Sequence, residues 1–332
     1  MLIKIKIIKK FAVVAFTALL LPGIGNAAGM NLTVCGASPG GLWSLLGAGL
    51  DATLKAASPG STVTYQTSSG GYANIKQVKE KKCELGIIHV GEGVIARKGL
   101  APFTSPEKNF RVLSVLYDWA PMQWLITKEF SDKYGLSSLE DLAKKKPPVR
   151  LLLNRRGILP SQLGEAALKS LGISIKDIES WGGKVEFQAS KNAAKIMSNR
   201  RADMLSNSIF VNHRSIRAIA KAVPITLLNV PDNVIRDISK QFGQKPWTIK
   251  SDSYPWLDRD INTFSSRAVL IANQGMSKQS AYQITKAMLG HSDKMRGVHK
   301  AMKGFTTKLM ASMNELPYHS GAIKAYKEKG LK

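Results

Sequence analysis

The chain has 332 residues, 44% of them hydrophobic, which is enough apolar side chain for one large core or two ordinary ones and excludes a disordered protein. Its 48 Lys and Arg against 23 Asp and Glu give a formal charge of +25. In a cytosolic chain that balance points to nucleic acid, but the N-terminus directs this chain elsewhere.

Lys4, Lys6, Lys9 and Lys10 precede an apolar run over 11–21, followed by Pro22 and the short stretch Gly25-Asn26-Ala27-Ala28. This is the pattern of a secretory signal peptide over 1–27, removed after Ala27, because the apolar run is about half the roughly 20 residues of a spanning helix. No later run approaches that length, and Cys35 follows Thr33-Val34, not the small residue that precedes a lipid-modified cysteine. The expected product is a soluble, unanchored, periplasmic protein with no nucleic-acid partner. Its lysines are scattered, so the charge reads either as solubility or as affinity for an acidic ligand or anionic surface.

After the leader, strands and helices alternate. A strand over 32–35 leads to the turn Gly36-Ala37-Ser38-Pro39-Gly40-Gly41, and Leu42, Leu45, Leu46, Leu50 and Leu54 then recur at helical spacing until Pro59-Gly60. A second strand over 63–67 turns at Ser68-Ser69-Gly70-Gly71 into a helix over 72–81, and a third strand covers 85–88. Strand, glycine-rich turn, helix, strand is the order of an open parallel sheet. The apolar runs over 110–117 and 122–127, separated by 118–121, read as a crossing into a second lobe. There, Ser137 or Ser138 with Glu140 or Asp141 forms a capping box for a helix ending near Lys145. A buried strand over 149–153 leads through the loop 154–161 to a helix of Leu163, Ala167, Leu168 and Leu171, closed by Gly172. Further strands cover 185–187, 204–206 and 225–228; the strand over 268–272 and the helix over 281–289 return the chain. The predicted fold is two-lobed α/β, with lobe 1 from 28–117, lobe 2 from 118–266, and 267–332 packing back on lobe 1.

Cys35 ends the first strand and Cys83 precedes the third. For parallel neighbours this places the sulfurs at opposite ends, farther apart than the roughly 7 Å a bridge tolerates, so no disulfide is expected.

Ligands of open α/β sheets bind beyond the carboxyl ends of the strands. The two small-residue turns therefore face a common crevice, where backbone N–H groups at helix starts attract anions. The expected ligand contacts are Ser38, Gly40, Gly41 and Trp43 on the first loop, and Ser68, Ser69, Gly70, Gly71, Tyr72 and Asn74 on the second. His89, with Glu92 near it, follows the third strand. On the loop 154–161, Ser161 and either Arg155 or Arg156 complete the set, a guanidinium gripping a carboxylate by two parallel hydrogen bonds. Trp119 and Trp124 are within reach of the crevice, although Trp124, inside an apolar strand, reads as core. No cofactor or metal is expected, since His, Cys and Asp form no cluster at ligand spacing. The nucleophile elbow, the Walker loop and His-Glu-x-x-His are also lacking, so the chain does not read as an enzyme.

Several stretches together resemble the solute receptors of tripartite ATP-independent periplasmic (TRAP) transporters, specifically the TAXI group. They are the turn and helix over 36–50, Ser68-Ser69-Gly70-Gly71-Tyr72-Ala73-Asn74, Glu84-Leu85-Gly86-Ile87-Ile88, and the run Val115-Leu116-Tyr117 with Pro121 and Trp124-Leu125-Ile126. The most specific is Pro317-Tyr318-His319-Ser320-Gly321-Ala322-Ile323-Lys324-Ala325-Tyr326, continuing to Gly330. The resemblance implies a class II periplasmic binding fold that closes over an organic acid or amino acid and delivers it, as a monomer, to a TRAP-type membrane permease. The chain departs from the group's Gly-x-x-Gly-Ser-Gly-Thr loop, reading Asn154-Arg155-Arg156-Gly157-Ile158-Leu159-Pro160-Ser161 instead, so the group's usual ligand does not carry over. A sensor subunit for a membrane kinase and a polyanion-binding surface protein are the alternatives.

Overall fold

The computed structural model describes residues 29–332, and the leader expected over 1–27 lies outside them. The elements β1 (Asn31–Cys35), α1 (Leu42–Ala57), β2 (Thr62–Gln66), α2 (Gly71–Lys79), β3 (Leu85–His89) and α3 (Val90–Lys98) alternate as the pattern dictates. Leu46, Leu50 and Leu54 of α1 are buried, and the chain leaves the helix through Gly60, whose φ of +93° suits glycine. β1 lies between β2 and β3, parallel to both.

The crossing is one unbroken strand, β4 (Phe110–Thr127), and not two runs with a break between them. Pro121 sits where β4 changes partners, a position that tolerates a missing N–H. Then come α4 (Lys128–Tyr134), α5 (Glu140–Lys145), β5 (Arg150–Leu153), α6 (Leu159–Ser170), α7 (Ile175–Ser180), β6 (Lys184–Phe187), α8 (Ser190–Ser198), β7 (Met204–Ser208), α9 (Arg214–Ala222), β8 (Ile225–Leu227), α10 (Asp232–Phe242) and β9 (Lys245–Ile249). The return strand β10 (Ile261–Asn273) is followed by α11 (Lys278–Gly290), α12 (Ser292–Gly297), α13 (Thr307–Met310) and α14 (Ser320–Glu328).

The strand order is β2-β1-β3-β10-β4-β7-β5-β6, with β8 added to β4 and β9 to β10. Each end of this path is a parallel trio, β2-β1-β3 or β6-β5-β7, and the long antiparallel pair β10 and β4 joins the trios. Val34, Ile87, Leu113 and Leu270 of the first trio and the joining strands pack with α1, α11 and α14 in one core. In the second trio Leu151 and Leu153 face one apolar cluster and Leu152 the other, which is why this strand reads as a continuous apolar run. The architecture is the two-lobed, mostly parallel α/β arrangement the sequence predicts.

The C-terminal helices return to the first lobe. His319 Nδ1 accepts the Gly321 N–H at 3.2 Å and caps α14, while its Nε2 lies 3.0 Å from Met276 O. A Cβ at Gly321 would come within 2.2 Å of Lys278 O, so only glycine lets α14 lie this close to α11. Tyr326 donates its hydroxyl to Leu113 O at 2.7 Å. This C-terminal segment is thus a fold-closing staple that ties α14 to α11 and β4.

One expectation is overturned: Cys35 and Cys83 form a disulfide, with Cα atoms 5.9 Å apart. The opposite-ends argument assumed strands lying side by side. In fact β1 and β3 overlap by only two residue pairs, Val34 with Leu85 and Cys35 with Gly86, so the start of β3 stands beside the end of β1.

Candidate functional site

A cavity of about 290 Å³ opens between the lobes, at the carboxyl ends of β1, β2, β3, β5 and β7. From the first trio it is lined by Ser38, Gly41, Trp43, Ser69, Gly70, Gly71 and His89; Arg155 faces it from the second. This is the crevice of an open sheet, built twice and closed on itself.

Several helices begin at its wall. The N-terminal residues of α1, α2 and α6 line the cavity, and none of the three has a side-chain cap. Their first-turn N–H groups and axial dipoles favour negative charge. At α2 that position is already taken by a side chain of the protein itself. Gly71 packs directly on the carboxyl of Glu92, which is 2% exposed and sits in the first turn of α3. Glu92 Oε2 accepts the His89 backbone N–H at 2.7 Å and lies 3.4 Å from His89 Nδ1. Above this pair, Trp43 Nε1–H donates to the Tyr117 hydroxyl at 3.0 Å, which itself lies 3.5 Å from His89 Nε2. Burial holds the Tyr117 phenol well above its ordinary range, so it remains a neutral hydroxyl.

The remaining predicted residues shape the loops instead of lining the cavity. Ser68 Oγ lies 2.5 Å from both Gly36 O and Asn74 Oδ1 and accepts the Gly70 N–H. Asn74, fully buried, donates to Gly36 O and Ile87 O, tying the first two loops to β3. Ser161 is buried and donates to Ile158 O. Tyr72 donates its hydroxyl to Gln162 across the cleft, so a residue of α2 is joined to one of α6. Arg156 turns outward, its guanidinium 3.6 Å from the centre of the Phe187 ring. Gly40 lines a neighbouring cleft, and Trp124 is wholly buried in the core.

The end of β7 and the chain after it also reach the cavity, through Ser208 and then Ile209, Phe210 and His213, none of which the sequence reading selected. The strand rule applied to β7 would have pointed there, but this loop lacks the glycines that drew attention to the others. His213 caps α9 through Nδ1, which accepts the Ser215 N–H at 3.2 Å. Burial first, then Arg214, Arg217 and His299, depress its pKa to about 4. Beyond Phe210 a second cleft of about 320 Å³ carries Arg214, Arg217 and Lys300, so one approach to the cavity is cationic.

Among the described residues, no group of three or more His, Cys, Asp or Glu is placed to hold a metal, and no helix is long and apolar enough to cross a membrane.

Two lobes of mostly parallel sheet, joined by crossing strands and closing on one cavity, make this a periplasmic-binding-protein fold. The chain belongs to the NMT1-like family, whose model matches residues 34–330. No curated protein matches the sequence significantly. Among solved structures it is similar to the periplasmic binding protein BugD, with 14% identity, 92% of this chain and 94% of that one covered, and a TM-score of 0.52. MatC from Rhodopseudomonas palustris with bound malate aligns at 13% identity over 92% and 97% of the two chains, with a TM-score of 0.52. PhnD1 from Prochlorococcus marinus in complex with methylphosphonate aligns at 11% over 91% and 99%, with a TM-score of 0.51.

Proposed function

We propose that the chain is a periplasmic solute receptor that captures a small organic acid or amino acid between its lobes and delivers it to a TRAP-type permease, as a TAXI-group receptor does. It is a binding protein in this reading, not an enzyme, and it works as a monomer. The observation that carries the proposal is the meeting of Arg155 with the uncapped N-termini of α1 and α6 at one interlobe cavity. A guanidinium with no acidic partner among the described residues and helix dipoles from both lobes form an acid-binding arrangement, and bound acid would draw the lobes together. Arg155 is the anion partner in this reading, with Ser38, Gly41, Trp43, Ser69 and Gly70 as further contacts.

Lobe 1 comprises 28–117 with 267–332, and lobe 2 comprises 118–266; residues 1–27 are the leader. A buried disulfide supports an oxidising compartment. The BugD, MatC and PhnD1 likeness supports the receptor reading through the fold alone.

A thermal-shift screen of the mature chain against dicarboxylates, amino acids and aromatic acids tests it. A true ligand at a hundred times its dissociation constant adds about 2.7 kcal/mol of stability. If no acid of any class raises the melting temperature, the reading is wrong.

A further inference from the structure

The second cleft, beyond Phe210, carries a charge that the interlobe cavity does not require. Its walls come from both lobes: Lys300, His299 and the start of α1 at Gly41 from one, and Arg214, Arg217 and His213 from the other. Phe210 joins the walls, its ring centre 5.0 Å from that of His213 and 5.6 Å from that of His299. No Asp or Glu lines the cleft, and Arg214, Arg217 and Lys300 make no ion pair among the described residues. Arg214 and Arg217 stand three apart on α9 and so share a face of that helix. Arg217 donates one N–H to Asn212 O, which anchors its guanidinium beside the cleft. The adjoining cleft along α8 and α9 adds Lys191 and Lys195, again with no carboxylate in its lining. The positive field registers at His213, whose pKa is lowered by burial first and then by Arg214, Arg217 and His299.

A lone surface lysine is solvated at little cost and asks for no partner. Cations converging from two walls on one space of about 320 Å³ are different, because they repel one another until an anion sits among them. Guanidinium groups present paired N–H donors that match the oxygens of a phosphoryl or sulfate group, and a lysine adds a point charge. A single carboxylate would offset only part of this charge. We propose that the cleft is a second anion site, separate from the interlobe cavity, that binds a small doubly charged oxyanion: phosphate, sulfate or a phosphate monoester. Arg214 and Arg217 hold it from one wall and Lys300 from the other. The recess between the walls suits a free anion and not the face of a bilayer. Gly41, Leu42, Phe210 and His213 line both spaces and form the partition between them, so the cavity stays open to its own ligand.

Inorganic phosphate is the probe, titrated into the intact mature chain by calorimetry and by thermal shift, with chloride at equal ionic strength as the blank and no organic acid present. The wild type should bind one phosphate saturably and melt at a higher temperature in phosphate than in chloride. Arg214, Arg217 and Lys300 are exposed, so their replacement leaves the core intact. Arg214→Gln with Arg217→Gln should weaken binding about tenfold or more, the loss expected for hydrogen bonds from charged donors. Lys300→Gln alone should weaken it severalfold, because the anion touches both walls. Lys169→Gln with Lys176→Gln removes the same charge from exposed positions of α6 and α7 and should leave binding unchanged. Absence of saturable binding, or equal weakening in the lysine control, would overturn the proposal. So would loss of binding in Arg155→Ala, which places the phosphate in the interlobe cavity, or binding only to phosphatidylglycerol vesicles, the behaviour of a diffuse surface charge. None of these results bears on the receptor reading, since no organic acid enters the measurement.

Discussion

A Cβ built on Gly71 would stand 1.7 Å from Oε2 of Glu92, so the first residue of α2 and the first turn of α3 share a space that only a hydrogen can occupy. Both residues line the cavity, so the contact lies in its wall. Gly71→Ala must displace Glu92 or shift α2, an overpacking change that typically costs about 1–3 kcal/mol. The expected outcome is a lower melting temperature together with loss of any ligand response, measured by denaturant unfolding and titration of the same preparation. Gly40→Ala is the control, because nothing lies within 4 Å of its added Cβ. Its positive φ of 75° still carries a backbone cost, but ligand selectivity should be unchanged.

Arg155 and Arg156 are adjacent in sequence and differ in direction. Arg155 lines the cavity, whereas Arg156 stacks on Phe187. Arg155→Ala should weaken an acidic ligand by roughly tenfold or more, the loss of a charge-assisted contact, with stability changed by less than about 0.5 kcal/mol. Arg156→Ala should leave affinity unchanged. Equal losses in the two variants would show that the loop, and not one guanidinium, holds the acid.

That difference marks where sequence reading stops. The leucines of α1 and the glycine turns before α1 and α2 were legible because helical period and turn chemistry are local properties. They pointed to part of the cavity wall, including Trp43 and Gly70, and the end of the third strand pointed to His89. Which of two neighbouring arginines faces inward depends on the path the loop takes between distant elements, and this has no local signature. The Cys35–Cys83 bridge was misread for a similar reason: strand stagger is set by packing between distant elements, not by either strand's residues. β9, the segment Lys-Pro-Trp-Thr-Ile, was missed because a proline argues against a strand, yet it pairs with one neighbour only, at a sheet margin that tolerates it.

The bridge closes a separation of 48 residues. In the chain-entropy model a loop of that size stabilises the folded state by about 4 kcal/mol, mainly by restricting the unfolded chain. Cys35→Ala with Cys83→Ala, or reduction under denaturant, should lower the unfolding midpoint accordingly while ligand affinity measured well below the transition changes little. Unchanged stability after reduction would mean that the two sulfurs pack as thiols.

Tyr72 spans the cleft to Gln162, so its hydroxyl bond exists only while the lobes are together. Burial keeps that phenol neutral, its pKa pushed well above the usual value, and the bond is therefore insensitive to ordinary pH. Tyr72→Phe removes the donor and leaves the ring against Phe103. A net worth of about 1 kcal/mol predicts roughly fivefold weaker ligand binding, appearing as faster dissociation in stopped-flow measurements. Unaltered dissociation would mean that the contact does not depend on closure.

His213 supplies a pH dependence with a definite sign. Its folded pKa is depressed to about 4 by burial and by the cations Arg214 and Arg217, with His299 adding to them, against an ordinary value of 6.5. Between those values the unfolded chain takes up the proton and the folded chain does not, so stability falls as pH drops from 6.5 towards 4 and is flat above that window. The proton would also remove the Nδ1 acceptor that caps α9 through the Ser215 N–H. With solvent screening, the expected loss is on the order of 1 kcal/mol. His213→Asn retains a capping acceptor that does not titrate. Other groups whose protonation changes with folding, His319 among them, act equally in both proteins, so they cancel in the comparison. Thermal melts from pH 7 down to 4 should therefore show the wild type losing more stability than the variant, with the two curves parallel above pH 6.5. Parallel curves throughout would mean that His213 is solvated enough to titrate normally and that the cap survives by another donor–acceptor pair.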